Sequence, residues 1–182
     1  MEDDRILVQI PAYRDPQLVH TLDSLFSEAA HPERLRVSLC WQCAPRDRLP
    51  ARYRDAPAIH IDRVDYRESR GANWARSRAQ RQWRDEPYSL VIDSHLRFAR
   101  HWDRKLIAML RDLKAAGIRR PALTCYPPDF DPRTYPAGRS QVPLKIYREA
   151  YIDGILAHFA GFELPLHRWL QAPVPAQFLA LG

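Results

Sequence analysis

Lysine is almost absent: of the 28 basic residues in this 182-residue chain, only Lys105, Lys114 and Lys145 are lysines, and the rest are arginines. The formal net charge of +6 would suit a phosphate-rich partner, since clustered cations release counterions on binding nucleic acid. Here the arginines alternate with acids along most of the chain, which reads as a compositional habit rather than a binding footprint. Only the stretch from Arg63 to Arg84 is denser, and a solvated helix face is its plainer explanation. Cysteine is scarce too. Cys40, Cys43 and Cys125 are too few, and odd in number, for a disulfide framework, and they fit a reducing compartment. No run approaches the roughly 20 apolar residues of a spanning helix. The acidic start MEDDRILVQI reaches its apolar segment too soon for a signal peptide. These absences predict a soluble cytoplasmic protein with no membrane partner. Also missing are a Walker loop, a G-x-S-x-G elbow, any paired-carboxylate spacing among Glu28, Glu33, Asp65 and Glu68, and any internal repeat.

What is present is an alternation of strands and helices. The length suits one domain that can bury a core without disulfides or a structural metal, and the 16 prolines sit mostly between periodic segments. RILVQI (5–10) reads as a strand that stops at Pro11 and the turn-prone AYRDP. Leu18, Val19, Leu22, Leu25, Phe26 and Ala29 recur at helical spacing behind Asp15-Pro16, which suits an N-cap and first helical position, with an end near His31-Pro32. LRVSLCWQ (35–42) and AIHIDRVD (58–65) are further strands, and Tyr66 to Trp83 turns helical around Trp74, Ala75, Ala79 and Trp83. YSLVID (88–93) is the fourth strand. A helix through Trp102, Leu106, Ile107, Leu110 and Leu113 closes at Gly117, and ALTCYPP (122–128) is expected to be one more strand. Beyond the loop-like 129–141, VPLKIYREAYIDGILAHF resumes as strand or helix. This order predicts an α/β sheet covered by helices on both faces, with ligands bound outside the carboxyl ends of the strands.

The strand ends carry the unusual polar and aromatic residues. Asp93 and His95, two apart in extended chain, share one side and could reach one cation; a carboxylate with an imidazole suits manganese better than calcium. The alternative is an Asp capping the next turn beside a surface His. Gly71 near a helix start, with Arg70, Arg76 and Arg78 close by, could receive phosphate on backbone N–H groups, or could be a turn residue, with Trp74 and Trp83 as core packing. Tyr13-Arg14-Asp15 could hold a nucleotide base or cap the following helix. Cys40-Trp41-Gln42-Cys43 matches C-x-x-C, yet it overlaps a strand end rather than a helix start, and further zinc ligands at suitable spacing are missing, so redox and zinc roles are set aside.

Together, VQIPAYRDPQLVHTLDSLFSEAAHPERLRVSLCWQ, RVDYRESRGANWARSRAQRQW and LVIDSHLRFARHWDRKLI resemble, in order and over about residues 5 to 130, a GlcNAc-transferase family. Its best-known members attach N-acetylglucosamine to hydroxyproline of a cytoplasmic protein. The resemblance implies a GT-A type, Rossmann-like nucleotide-sugar-binding α/β/α sandwich with a mostly parallel central sheet. It also implies a UDP-sugar donor, a divalent cation (Mn²⁺ or Mg²⁺), and transfer of the sugar to an acceptor hydroxyl, on protein or elsewhere, with retention at the anomeric carbon. Asp93-Ser94-His95 would take the place of the D-x-D motif, similar to the D-x-H of mucin-type polypeptide GalNAc-transferases, with Asp93 and His95 on the metal and Asp93 and Ser94 also facing the donor. Pro11, Tyr13, Arg14 and Asp15 would line the uridine pocket, and Asp65, Arg70, Gly71, Trp74 and Arg76 would border the donor. The resemblance identifies no catalytic base.

The expected organisation is one domain over 1–182, with a donor-binding core at 1–128 and a loop plus incomplete acceptor-side segment at 129–182. Typical members continue past the point where APVPAQFLALG ends, so the chain is expected to be a shortened homologue that lacks the third protein ligand for the metal unless His158 or His167 takes that place. Two other expectations follow: a catalytically impaired UDP-sugar-binding or partner-recruiting module, and, more remotely, an arginine-rich nucleic-acid-binding domain. An unfinished sheet edge would favour a homodimer.

Overall fold

A computed structural model describes residues 3–124, 127 and 130–135, together with the backbone of 144–152 and 156–163. The chain divides into two compact units, Met1–Ile118 and Arg119–Gly182. The first unit is a four-stranded sheet, every neighbouring pair parallel, in the order β3-β2-β1-β4. Its elements are β1 (Ile6–Tyr13), α1 (Leu18–Ser27), β2 (Leu35–Cys43), the short α2 (Ala51–Arg54), β3 (Ile59–Asp65), α3 (Ala72–Gln80), β4 (Tyr88–Val91) and α4 (Trp102–Ala115).

The two central strands are buried on both sides, as a parallel sheet sandwiched by helices requires. Ile6, Val8, Ile10 and Ala12 of β1, with Val37, Leu39, Trp41 and Cys43 of β2, pack with Leu18, Leu22 and Leu25 of α1 and Trp102 and Ile107 of α4. The opposite face gathers Cys40, Val64 and Ala75 against the half-buried Trp74 of α3. Ala75 and Ala79 are fully buried, and small side chains there let α3 lie close to the sheet. Helices therefore cover both faces, and the fold is the mixed, Rossmann-like α/β architecture that the strand and helix alternation predicts. No helix among the described residues is long and apolar enough to cross a membrane.

Capping ties the layers together. Asp103, at the start of α4, accepts hydrogen bonds from the N–H groups of Ala30 (2.7 Å) and His31 (2.8 Å), just beyond α1. Gly117, at φ 90°, ends α4 as expected, while the N–H of Ile118 returns to the Leu113 carbonyl at 3.0 Å. α1 starts at Leu18 rather than at Pro16: the Asp15 carboxylate receives the Gln17 N–H at 2.8 Å and closes a turn ahead of the helix. It also ends earlier than its apolar spacing indicates, at Ser27.

The strand expected at 122–128 is not formed at Pro121–Thr124, where the chain has no regular structure, and Cys125, Tyr126 and Pro128 lie outside the described residues. In the second unit β5 (Leu144–Ile152) and β6 (Leu156–Glu163) make an antiparallel hairpin with an irregularity between Arg148 and Ala150. His158 lies on β6, of which only the backbone is described, and His167 lies outside the described residues.

Candidate functional site

The order of the strands decides where a site can form. β1 feeds β2 on one side, and the sheet resumes with β4 on the other, so the carboxyl ends of β1 and β4 flank the point where strand order reverses. β4 pairs only with Ile6 to Gln9, whereas β1 runs on beside β2 as far as Tyr13. The last bond joins the Ile92 N–H to the Gln9 carbonyl at 3.1 Å. Pro11, two residues on, faces the same departed side, where the N–H it lacks has no partner strand to serve. A proline is thus tolerated inside an interior strand because β4 has already left.

The resulting cleft has a volume of about 410 Å³ and is lined by Pro11, Tyr13 and Asp15 at the end of β1, Gln42 of β2, Ser69, Gly71 and Ala72 ahead of and at the start of α3, and Asp93, Ser94 and His95 beyond β4. Strand geometry ends at Val91, yet the in-and-out alternation continues: Ile92 and Ser94 are buried, Asp93 and His95 exposed.

Most polar groups in the cleft have a definite partner. The Asp15 carboxylate accepts the Ser94 hydroxyl at 2.6 Å and lies 2.7 Å from His95 Nδ1. Burial alone would raise the Asp15 carboxyl, but hydrogen bonds from Ser94, from His95 and from the Gln17 backbone outweigh it and hold the group below the ordinary carboxylate value. The loop carrying Ser94 and His95 is stitched to α1: the buried Thr21 hydroxyl donates to the Ser94 carbonyl (2.7 Å) and accepts from the Leu96 N–H (3.0 Å), and the Phe98 N–H reaches Ser24 at 2.8 Å. Asp93 pairs with Arg76 of α3 at 3.4 Å. Gln42 is almost fully buried, and its Oε1 has no partner among the described residues.

A second cleft, of about 750 Å³, adjoins the first at Ser69 and is lined by Asp65, Arg70 and Trp74 together with Arg63, Arg67 and Arg78. Most of its arginines are already committed. Arg78 grips Asp62 through two bonds of 2.6 Å and lies over the Trp74 ring; Arg63 donates to the Ala44, Pro45 and Asp47 carbonyls; and Arg67 holds the Asp65 carboxyl down to about 2. Arg70 makes no hydrogen bond or ion pair among the described residues. The dense arginine stretch is therefore largely paired within the protein.

Of the residues singled out from sequence, Pro11, Tyr13, Asp15, Gly71, Asp93, Ser94 and His95 share the first cleft and Asp65, Arg70 and Trp74 the second. Arg76 reaches Asp93, and Arg14 stacks its guanidinium 4.5 Å from the Tyr66 ring centroid. Sequence reasoning missed Tyr66, which meets Tyr13 edge-on at 6.4 Å, as well as Gln42, Ser69, Ala72 and Thr21. Tyr66 follows directly on β3, so the strand-end rule that selected Tyr13 would have found it. Thr21 left no such signal. Cys40 and Cys43 are free, buried and packed in separate clusters; burial raises both thiols, the reverse of what a reactive thiolate needs.

The model of a family described as glycosyltransferase (GlcNAc) matches the chain at residues 5–55 and 49–182. The chain belongs to this family. No match was found among curated proteins or among solved structures. The family match of this glycosyltransferase continues through residue 182, past the span where the motifs themselves are legible, and so takes in the β5–β6 hairpin. Membership makes the protein a transferase, and its paired clefts lie where an open α/β sheet binds ligands.

Proposed function

We propose that this glycosyltransferase takes N-acetylglucosamine from a UDP-sugar and passes it to an acceptor hydroxyl, with a divalent cation held by Asp93 and His95. The observation that carries this reading is the convergence of seven expected donor and metal residues, from segments far apart in sequence, on the single cleft at the strand-order reversal. Tyr13, exposed at the rim of the first cleft, offers an aromatic ring to a base, and Arg70 offers an uncommitted cation to phosphate. In the reaction the acceptor oxygen bonds to the anomeric carbon, the bond from that carbon to the UDP oxygen breaks, UDP keeps the electron pair, and the hydroxyl proton passes to the departing diphosphate or to water.

The residues present fit a cation. Two carboxylates, Asp15 and Asp93, line the cleft and would repel a diphosphate unless a positive charge intervened. His95 turns Nδ1 to Asp15, leaving Nε2 as a donor atom, and Asp93 is held only by the 3.4 Å contact to Arg76. No third His, Cys, Asp or Glu completes a metal cluster among the described residues, so waters and diphosphate oxygens would fill the other positions. When bound, a cation such as Mn²⁺ or Mg²⁺ neutralises the diphosphate as it departs. Residues 1–128 are assigned to the donor and 129–182 to the acceptor side. The acceptor is proposed to be a hydroxyl group, with a protein as one carrier.

Thermal unfolding tests the reading. UDP with Mn²⁺ should raise the melting temperature, and Asp93→Ala should remove most of that shift while leaving the ligand-free value nearly unchanged, because the side chain is exposed and weakly held. No shift with UDP or UDP-GlcNAc over a series of divalent ions would refute it. Release of UDP from UDP-GlcNAc that vanishes in His95→Ala would separate an enzyme from a binding module.

A further inference from the structure

We propose that Asp15 is a positioning residue that presets His95 as the Nδ1-protonated tautomer, keeping the Nε2 lone pair open to the cleft. An ionised carboxylate only accepts hydrogen bonds. Its Oδ1 receives the Gln17 N–H, and its Oδ2 meets both the Ser94 hydroxyl and His95 Nδ1, so the ring nitrogen at 2.7 Å must be the donor. The carboxylate is presented from a fixed turn: Arg14, immediately before it, is left-handed at φ 47°, with its N–H on the Gln42 carbonyl at 2.9 Å. The ring is presented from a fixed loop, since Thr21 holds the backbone on both sides of His95. His95 Nε2 has no partner among the described residues. Histidine free in water prefers the opposite tautomer, with the proton on Nε2, which would point a donor at the cleft and remove its lone pair. A carboxylate behind a histidine fixes ring and tautomer in this way and strengthens the other nitrogen as a ligand.

Use of that lone pair by a cation rests on the donor-site reading above; the tautomer itself does not. The test is Asp15→Asn. The Gln17 N–H still requires an acceptor, which places the amide oxygen at Oδ1 and the NH₂ group at Oδ2. The NH₂ group then donates to Nδ1 and drives the proton to Nε2, while Ser94 can rotate to accept, so the fold is retained.

Long-range ¹H–¹⁵N spectra of the metal-free protein, whose ¹⁵N shifts distinguish the two neutral tautomers from the cation, read the tautomer directly, with His95→Asn supplying the assignment. Expected are Nδ1–H in the parent and Nε2–H in Asp15→Asn. Nε2–H in the parent overturns the proposal with no variant needed, and Nδ1–H persisting in Asp15→Asn overturns the role of Asp15. Titration of Mn²⁺ in the presence of UDP should weaken about 10- to 100-fold in the variant. Absence of Mn²⁺ binding by either protein, with the tautomers as expected, would sink the donor-site reading and leave the positioning role standing.

Discussion

Gly71 sits at φ 91° and ψ 174°, a backbone region that side chains with a Cβ rarely enter. Space is not the constraint, because a Cβ placed there meets nothing within 4 Å. Gly71→Ala should therefore destabilise the protein by about 1–3 kcal/mol through backbone strain alone, read as a lower urea midpoint with an unchanged m-value, and it should disturb the rim of the first cleft where α3 begins. The same scale shows what single residues disclosed in advance. Asp93 and His95 were legible because a short apolar run ends beside them, and Gly71 because it precedes a helical pattern rich in arginine. The pairing of His95 with Asp15 was not, since the two are 80 residues apart and neither neighbourhood contains a trace of the other.

Among the elements, α1 does the most for the site. It is a core helix through Leu18, Leu22 and Leu25, and on one flank Thr21 and Ser24 hold the 94–98 loop that presents Ser94 and His95. Thr21 is fully buried, and its hydroxyl satisfies two backbone groups of that loop. Thr21→Val keeps the shape and removes both bonds, so it should cost about 1–3 kcal/mol and accelerate hydrogen exchange at Leu96 far more than in β2. A loss of exchange protection spread evenly over the sheet would show instead that the threonine serves only the core. The helix was visible as a periodic apolar stripe, but Thr21 looked like any polar residue beside that stripe. α4 was equally visible, while Asp103 at its start gave no hint that it would bind the N–H groups beyond α1.

At the scale of the whole molecule, the arginine-rich composition is answered mainly by internal pairing. Arg36 of β2 grips Glu86, a nearly buried carboxylate ahead of β4 that also receives the Arg84 N–H at 3.0 Å. Burial opposes ionisation of Glu86, but the Arg36 guanidinium and the surrounding N–H groups prevail and hold it at about 2. A depressed carboxyl stabilises the fold fully above its ordinary value of about 4.3 and loses that contribution as pH falls toward the folded value; the difference amounts to about 3 kcal/mol. Urea titrations should show the parent losing stability between about pH 4.5 and 2 more steeply than Glu86→Gln; parallel curves would contradict the assignment. Sequence by itself determined the architecture of the first unit and marked residues that share the first cleft: hydrophobic periodicity is local, and it marked four strands and the three long helices, while parallel connections put their polar loops at the carboxyl ends. It did not reach the pairings, because hydrogen-bond partners such as Asp15 with His95, Thr21 with the 94–96 backbone, and Arg36 with Glu86 join positions 50 to 80 residues apart. Only the tertiary structure decided those, since a carboxylate, hydroxyl or guanidinium gains a specific partner only when packing of the strands and helices brings the two ends together.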